Sequence, residues 1–494
     1  MIKLTSAQLA DVVGGDARGA GGGARRISGV TIDTRTLSQG DLFVALQGDH
    51  TDGHRYVDTA LASGAAAALV AAQRVDDLHP DAQVVVVDDP ADALLALGVW
   101  VRDTVDPLVV GITGSNGKTT TKDLLAAACR DRRTVANHGS FNNELGVPLT
   151  CCRLEPDSEL LICELGMRGG GQIAALAGLL RPAIGVVTSV APVHLELLGS
   201  IEAIAAAKGE LIEALPPDGV AVLAADDALV AAMANRTAAR VVTFGRTTAA
   251  DWCAEQIVLD DAARVRFRVS GPHGRAQVAL PVPGLHNIGN ALAALAAAAE
   301  AGVPLDAAVA GLQQATVSRW RLQVQQVADV RVLNDAYNAN PTSMTAALRT
   351  LSQTPSDGRR WAVLGTMAEI GPTSEQAHRE AGGVLADLGI DHLITVGPTA
   401  AAIRDGADAQ DPQGRQGRWA VPDVDAAATL LASVVQPGDV VLVKASRSAG
   451  LEAVVAGLEH LRTAAPLAPD DARRGVSASA PGATTPTRTG ERRT

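Results

Sequence analysis

Residues 111–122 of this 494-residue chain read GITGSNGKTTTK, and no other stretch constrains the fold as tightly. An apolar run, Leu108-Val109-Val110, precedes it, and a stretch of helical character, 123–130, follows. Strand, glycine-rich turn, Lys-Thr and helix together form an arrangement that holds a nucleoside triphosphate. Gly114 and Gly117 let the backbone turn tightly, so that its N–H groups point at phosphate oxygens. The helix N-terminus adds partial positive charge, Lys118 adds a full one, and the Thr119 hydroxyl is a potential Mg²⁺ ligand. Ile112 stands where the general pattern G-x-x-x-x-G-K-[ST] has its first glycine, and Gly111 comes one residue earlier. A glycine-rich turn before an ordinary helix is the plainer alternative, but Gly-Lys-Thr at a strand-to-helix junction is specific. The loop implies phosphate and leaves the reaction open.

The chain is long enough for about three domains at roughly 150 residues each. Residues 1–88 read as a small α/β unit, with a helix over 7–13, strands at 29–35, 41–46 and 84–87, and a helix at 57–63. From residue 107 strands alternate with helices, at 108–113, 134–136, 160–164, 184–189, 220–224 and 241–244, which predicts a parallel sheet. Period-two segments at 252–259, 264–269 and 277–282 predict a small antiparallel meander, and a long Ala-rich helix follows over 287–301. Residues 318–321 read as a hinge. Beyond it a second alternation has strands at 330–333, 361–364, 392–396 and 440–443, and helices at 343–351, 374–388, 424–434 and 449–461. The implied units are 1–88, 89–318 and 319–462, with a Pro-, Ala-, Gly-, Ser-, Thr- and Arg-rich tail, 463–494, expected to be disordered.

A formal charge of −12 argues against a nucleic-acid binder, which usually carries a basic patch. Five cysteines, without zinc spacing and too few for a disulfide framework, are expected to be buried, reduced thiols. No secretory pattern is visible, and the longest Ala-rich stretch, 291–299, falls far short of the roughly 20 residues that a membrane span needs. A soluble, cytoplasmic protein is expected.

Several polar groups fall at the carboxyl ends of expected strands, where open α/β sheets bind ligands. Glu164 ends one strand and reads as a Mg²⁺ ligand or as a cap for the helix after Gly170-Gly171. His194 follows the strand at 184–189, and Lys208 sits in an Ala-rich helix; a lone histidine or a solvated lysine is the plainer reading of each. Asn142 and Asn143 precede a turn that they either shape or extend toward a ligand. His286, Asn287 and Asn290 open the long helix, where the amides read as base contacts or Asn287 as an N-cap. The run 334–341, NDAYNANP, follows the first strand of the last unit. Thr34, Arg35 and His54 are loop residues able to meet a ligand, or solvated.

In order along the chain, TGSNGKTTTK, NHGSFNNELGVPLT, CELGMRGGGQI, SVAPVHLELLGS, AKGEL, PGLHNIGNALAA, SRWRLQV, NDAYNANPTSM and VKASRSAGLE resemble the Mur ligases. The N-terminal DTRTLSQGDLFVALQGDHTDGHRYVDTA matches too, so the resemblance covers residues 1 to about 461. It implies an α/β fold of three domains: a small N-terminal α/β substrate domain, a central P-loop mononucleotide-binding α/β domain and a C-terminal Rossmann-like α/β ligase domain. NDAYNANP with the late KASRSAG is similar to the member that adds a dipeptide, and the DNPR-type motif of the third-residue-adding ligase is absent.

The resemblance implies an ADP-forming peptide ligase of peptidoglycan precursor synthesis, joining D-alanyl-D-alanine to UDP-N-acetylmuramoyl-tripeptide through an acyl phosphate. ATP would be held by Thr113, Gly114, Ser115, Asn116, Gly117, Lys118, Thr119 and Thr120, with Asn287 and Asn290 on the adenine side, Asp335 at the ribose and Arg321 near the phosphates. Thr119 and Glu164 would bind a first Mg²⁺ and His194 a second, and Lys208 matches a lysine carbamylated in many members. Lys118, Asn143, His194, Lys208 and Arg321 are the implied catalytic set. Thr34, Arg35, Asn338, Lys444, Ser446 and Arg447 are the implied substrate contacts, and the expected state is a monomer. Thr366 stands where the family commonly has Asp, and Trp320-Arg321 where Gly-Arg is usual. The alternatives are another amino-acid-adding ligase of the superfamily, a folylpolyglutamate synthetase, and a nucleotide-gated binding protein. The UDP-type N-terminal unit argues against the folate enzyme, and the set Lys118, Glu164, His194 and Lys208 argues against the binder.

Overall fold

Three main sheets organise the protein. The computed structural model describes residues 1–19, 25–48, 51–139, 141–193, 195–413 and 417–464. The first sheet orders Asp16–Arg18, Val84–Val87, Ala67–Ala71, Asp41–Val44 and Gly29–Thr31, all parallel except the first. Ala67–Ala71 escapes the sequence reading because alanine carries little strand signal. It is buried throughout and lies in the middle of the sheet. The strand expected at 29–35 stops at Thr31, and Asp33 caps a short 3-10 turn, Thr34–Thr36. His54 is a framework residue rather than a ligand contact. It is buried, its Nδ1 lies 2.7 Å from Asp52 Oδ1, and its Nε2 accepts from the Ala71 amide.

The second sheet has nine strands in the order Gly274–Pro283, Arg264–Gly271, Trp252–Leu259, Arg240–Gly245, Val220–Ala224, Ile184–Val187, Leu108–Thr113, Leu160–Glu164 and Thr134–Ala136. The first three form the expected antiparallel meander, and it continues the parallel sheet through Trp252–Leu259. Gly111 belongs to the strand, not to the loop. A Cβ there would lie 2.9 Å from Leu211 on the helix packed above, so this glycine serves sheet-to-helix packing. That resolves the odd spacing of the motif.

The third sheet orders Gln323–Val327, Val330–Asp335, Val440–Lys444, Arg360–Leu364, His392–Val396 and Gly417–Val421, parallel except for the first. Its two edge strands were not legible in the sequence. Gln323–Val327 is mostly polar, and Gly417–Val421 is only partly buried. Alternate residues feed two separate cores. Ala362, Leu364 and Leu442 face one, while Trp361, Val363, Val441 and Val443 face the other.

The cores also show how the sheets are joined. A single apolar core runs from the first sheet into the second. Helix Pro90–Val105, started by the Asp89 cap with proline at its first position, bridges them. It packs on Ser6–Val13 and on Gly146–Cys151, closely enough that a Cβ at Gly98 would lie 2.9 Å from the Pro148 Cα. The last helix, Glu452–Ala464, runs two residues beyond the expected boundary at 462, and the expected disordered segment 465–494 lies outside the described residues.

Candidate active site

Leu108–Thr113 delivers the chain into residues 114–117, and helix Lys118–Ala128 leads it away. The turn depends on two glycines. Gly114 has φ +148° and Gly117 φ +84°, conformations L side chains rarely adopt. Cβ atoms there would lie 1.9 Å from Thr188 Oγ1 and 2.1 Å from Asn290 Oδ1. The hydroxyl of Thr188 donates to the Asn116 carbonyl (2.6 Å), fixing the loop from the neighbouring strand. Lys118 Nζ lies back across the loop, donating to the Gly114 carbonyl at 2.7 Å.

The loop forms one wall of a cavity of about 1010 Å³. Ser115, Asn116, Gly117, Lys118 and Thr119 line it, with Asn143, Glu164 and Lys208 from the second sheet's unit, Arg321, Asn338, Ser446 and Arg447 from the third, and Ile32 from the first. Most of the expected site residues are thus brought together over 332 residues of sequence separation (Ser115 to Arg447).

Glu164 is 1% exposed and does not cap a helix. Its Oε2 accepts from Thr119 Oγ1 and its Oε1 from Asn142 Nδ2, each at 2.7 Å. The helix after Gly171 is held instead by Glu210, whose carboxylate accepts from the Gly171 and Ala174 amides. A hydroxyl and a carboxylate converging on a polar cavity form an oxygen donor pair that suits Mg²⁺. That ion is commonly bound by one or two carboxylates with water and phosphate filling the rest of its shell. Among the described residues no group of three His, Cys, Asp or Glu is clustered for a metal. His194 lies outside the described residues.

Lys208 lies on helix Ile201–Glu213, is 2% exposed, and faces the cavity. Burial pushes its amine well below the ordinary lysine range, and the Lys118 cation adds to the shift. Lys118 is lowered too, mainly by burial, with Glu164 opposing and Arg321 reinforcing. Arg321 stacks over the Tyr337 ring at 4.2 Å. Its neighbours Trp320 and Leu322 have φ +61° and +49°. Trp320 therefore occupies a left-handed position that suits the family's more usual glycine. The Arg447 guanidinium lies 4.5 Å over its ring, and the Trp320 carbonyl accepts from the Tyr337 amide. No hydrogen bond reaches the Thr366 side chain among the described residues; its carbonyl accepts from the Ser446 amide.

Other expected site residues lie outside the cavity lining. Thr113 and Thr120 are buried, and Thr113 donates to the Leu165 carbonyl. Asn287 is the first residue of its helix rather than the cap, and donates to the Pro283 carbonyl. Asn290 Nδ2 donates to Asn287 Oδ1 and its Oδ1 accepts from Thr121 Oγ1, and neither amide lines the cavity. Lys444 is buried, donating to Asp335 Oδ2 (2.6 Å) and to the Asn338 carbonyl. Asp335 also accepts from the Leu322 amide, so this pair ties the hinge to the sheet ends, and neither residue reaches the cavity. Arg35 is exposed and forks onto Asp33, whose carboxyl it holds down at about 2. Thr34 and Arg35 do not line the cavity, though Ile32 of the same segment does.

Two contributors have partners that the sequence reading did not name. Asn142 grips Glu164, as described. Asn340 caps helix Pro341–Gln353 and donates from Nδ2 to Asn116 Oδ1 at 2.7 Å, joining the last unit to the loop. The dipeptide Asn-Pro carried the signal for the cap, but no local pattern reports a partner 224 residues away.

Comparison with known proteins bears on the same residues. The Mur ligase middle domain family model matches residues 112–298, the Mur ligase glutamate ligase domain 320–447, and the Mur ligase family catalytic domain 26–98. The chain is 42% identical to the UDP-N-acetylmuramoyl-tripeptide–D-alanyl-D-alanine ligase of Mycobacterium tuberculosis, over 93% of this chain and 98% of that protein. It is 37% identical to the Escherichia coli ligase of the same name, over 93% and 99%. Among solved structures, MurF from Acinetobacter baumannii superposes with a TM-score of 0.81 at 31% identity, covering 93% of this chain and 99% of that one. MurF ligase from Thermotoga maritima in complex with ADP gives 0.75 at 27%, covering 88% and 98%.

Proposed function

The chain belongs to the Mur ligase family, and we propose that it joins D-alanyl-D-alanine to UDP-N-acetylmuramoyl-tripeptide, cleaving ATP to ADP and phosphate, in cytoplasmic synthesis of the peptidoglycan precursor. The observation that carries this reading is full-length similarity to ligases of that name, combined with one polar cavity lined from all three sheets. The division into a nucleotide-sugar domain (1–88), an ATP domain (89–318) and a closing domain (319–462) is part of the same reading.

A carboxylate is a poor electrophile, because its charge repels nucleophiles and its oxygen leaves badly. Phosphorylation by ATP removes both obstacles and produces an acyl phosphate. The amine of the dipeptide then attacks the carbonyl carbon, and the tetrahedral adduct expels phosphate. Bringing these anions together requires concentrated positive charge. Lys118 and Arg321 supply it at the phosphates, and loop N–H groups at residues 115–119 orient them. Thr119 and Glu164 are the residues that would hold Mg²⁺, which when bound neutralises phosphate charge. Burial disfavours the ammonium form of Lys208, which favours addition of CO₂, and a carbamate there would place a negative charge beside the Lys118 cation. Asn143 would orient the acyl phosphate, and Asn338, Ser446 and Arg447 would meet the substrate from the last domain.

Phosphate release measured with ATP, Mg²⁺ and UDP-muramoyl tripeptide tests the reading. Release is expected with D-alanyl-D-alanine. Release only with a diamino acid and the UDP-dipeptide would assign the third-residue ligase instead, and no release with any acceptor would leave a nucleotide-gated binder.

A further inference from the structure

Lys122 is a buried cation that the proposed mechanism leaves unused. It sits on helix Lys118–Ala128, four residues after Lys118, and is 2% exposed. A lysine rarely occupies such a position unless each of its three donors finds an acceptor. Here the ammonium donates to the Asn137 carbonyl at 2.7 Å and the Gly139 carbonyl at 3.1 Å, and forms an ion pair with Asp123 Oδ1 at 3.0 Å. The two carbonyls belong to the segment after strand Thr134–Ala136.

That segment continues directly into the grip on Glu164. Asn137 Oδ1 accepts from the Glu164 amide (3.0 Å), and Asn137 Nδ2 donates to the Phe141 carbonyl (3.0 Å). Asn142 Nδ2 then donates to Glu164 Oε1, and the Asn142 carbonyl accepts from the Gly166 amide. One carboxylate is therefore located at its backbone by Asn137 and at its side chain by Asn142, and Lys122 fixes the segment carrying both. The opposite carboxylate oxygen of Asp123, Oδ2, accepts from the Ser318 amide at 2.7 Å, where the second unit ends.

We propose that Lys122 is a positioning residue for the Glu164 metal site, acting through the 137–142 segment to hold the carboxylate in the orientation in which it meets Mg²⁺ with Thr119. This rests on the assignment of Glu164 as a Mg²⁺ ligand. Neutralising the ammonium leaves two carbonyls without their donor, and the segment loosens while Lys118 and the loop glycines stay in place.

The test is the binding of a non-hydrolysable ATP analogue, followed by calorimetry across a Mg²⁺ series, together with hydrogen exchange of the full-length protein. In Lys122→Met, exchange of the Glu164 amide and of residues 137–143 rises at least ten-fold. The Mg²⁺ needed for half-maximal analogue affinity rises about ten-fold, in the range of supporting groups around metal ligands. Affinity without Mg²⁺ stays within two-fold. Asn142→Ala, which leaves the helix untouched, gives the same Mg²⁺ shift, and it decides the matter if Lys122→Met folds poorly. Glu164→Gln separates the two readings. If it leaves the Mg²⁺ requirement unchanged, the metal assignment falls and this proposal with it. If it raises the requirement while Lys122→Met and Asn142→Ala do not, only the positioning role is overturned. An affinity loss in Lys122→Met that is equal with and without Mg²⁺ marks a merely structural lysine and also overturns it.

Discussion

Lys208 shows how far a single residue's meaning depends on its surroundings. On an alanine-rich helix it reads as solvated, yet it is buried against a second cation and carries a depressed pKa. Carbamylation predicts a ¹³C carbamate resonance after labelling with bicarbonate, absent from Lys208→Ala, together with a drop in turnover of ~10–100-fold. Full activity in that variant would refute the role. Gly117 is fixed by a different constraint, a left-handed φ pressed against Asn290. Gly117→Ala is expected to lose about 1–2 kcal/mol in urea unfolding from the backbone alone, and nucleotide affinity with it. The glycines and Lys-Thr of this loop were legible in sequence because a tight phosphate turn admits few residue types. Glu164 was legible as a strand-end carboxylate, whereas the partners of Asn142, Asn340 and Lys122 were not, because only the sheet order brings them close.

Among the elements, helix Pro341–Gln353 links capping to domain contact. Asn340 Oδ1 accepts from the Ser343 amide, while its Nδ2 reaches Asn116. Serine also caps helices well but is too short to make the second bond. Asn340→Ser should therefore keep thermal stability near wild type and weaken binding of an ATP analogue several-fold. A double-mutant cycle with Asn116→Ala should give a coupling of about 0.5–3 kcal/mol, and additive effects would show that the bond is not made in solution. Elements were read best where periodicity was strong, as in the central strands. Ala67–Ala71 and Gln323–Val327 were missed because a buried alanine strand and a polar edge strand lack that pattern. Residues 144–148 were read as a polar loop and turn, but helix Gly146–Cys151 begins there, with Val147 and Pro148 buried against helix Pro90–Val105. Tertiary burial outweighs weak local preference there.

For the whole molecule, the distribution of cores predicts which part moves. The first two sheets share one core, while the third has its own two and meets the rest through polar links such as Arg331–Asp261 and Asn340–Asn116. Closure should therefore carry the last unit against a rigid pair. Small-angle scattering should show a smaller radius of gyration on adding an ATP analogue with the nucleotide-sugar, and unchanged curves would exclude closure. The buried thiols set an alkaline limit. Burial pushes Cys129 and Cys151 up to about 12. Unfolded thiols ionise near 8.5, so the unfolded state sheds protons first as pH rises. Their contribution is complete below that pH and is lost progressively toward pH 12. Urea midpoints measured between pH 7 and 11 should fall, and Cys129→Ala with Cys151→Ala should flatten the decline.

Sequence alone determined most of the central strands and helices and the phosphate loop, because these rest on local chemistry, periodicity and turn residues, and the resemblance of its motifs gave the family. Only the tertiary structure decided which side chains meet. It placed Gly111 in a strand and paired Asn290 with Asn287 outside the cavity lining. It buried Lys444 on Asp335, and set Lys122 to hold the segment that grips Glu164. These relations depend on the order of strands in a sheet and on which helix covers which face, and a parallel sheet fixes both through contacts between residues far apart in sequence.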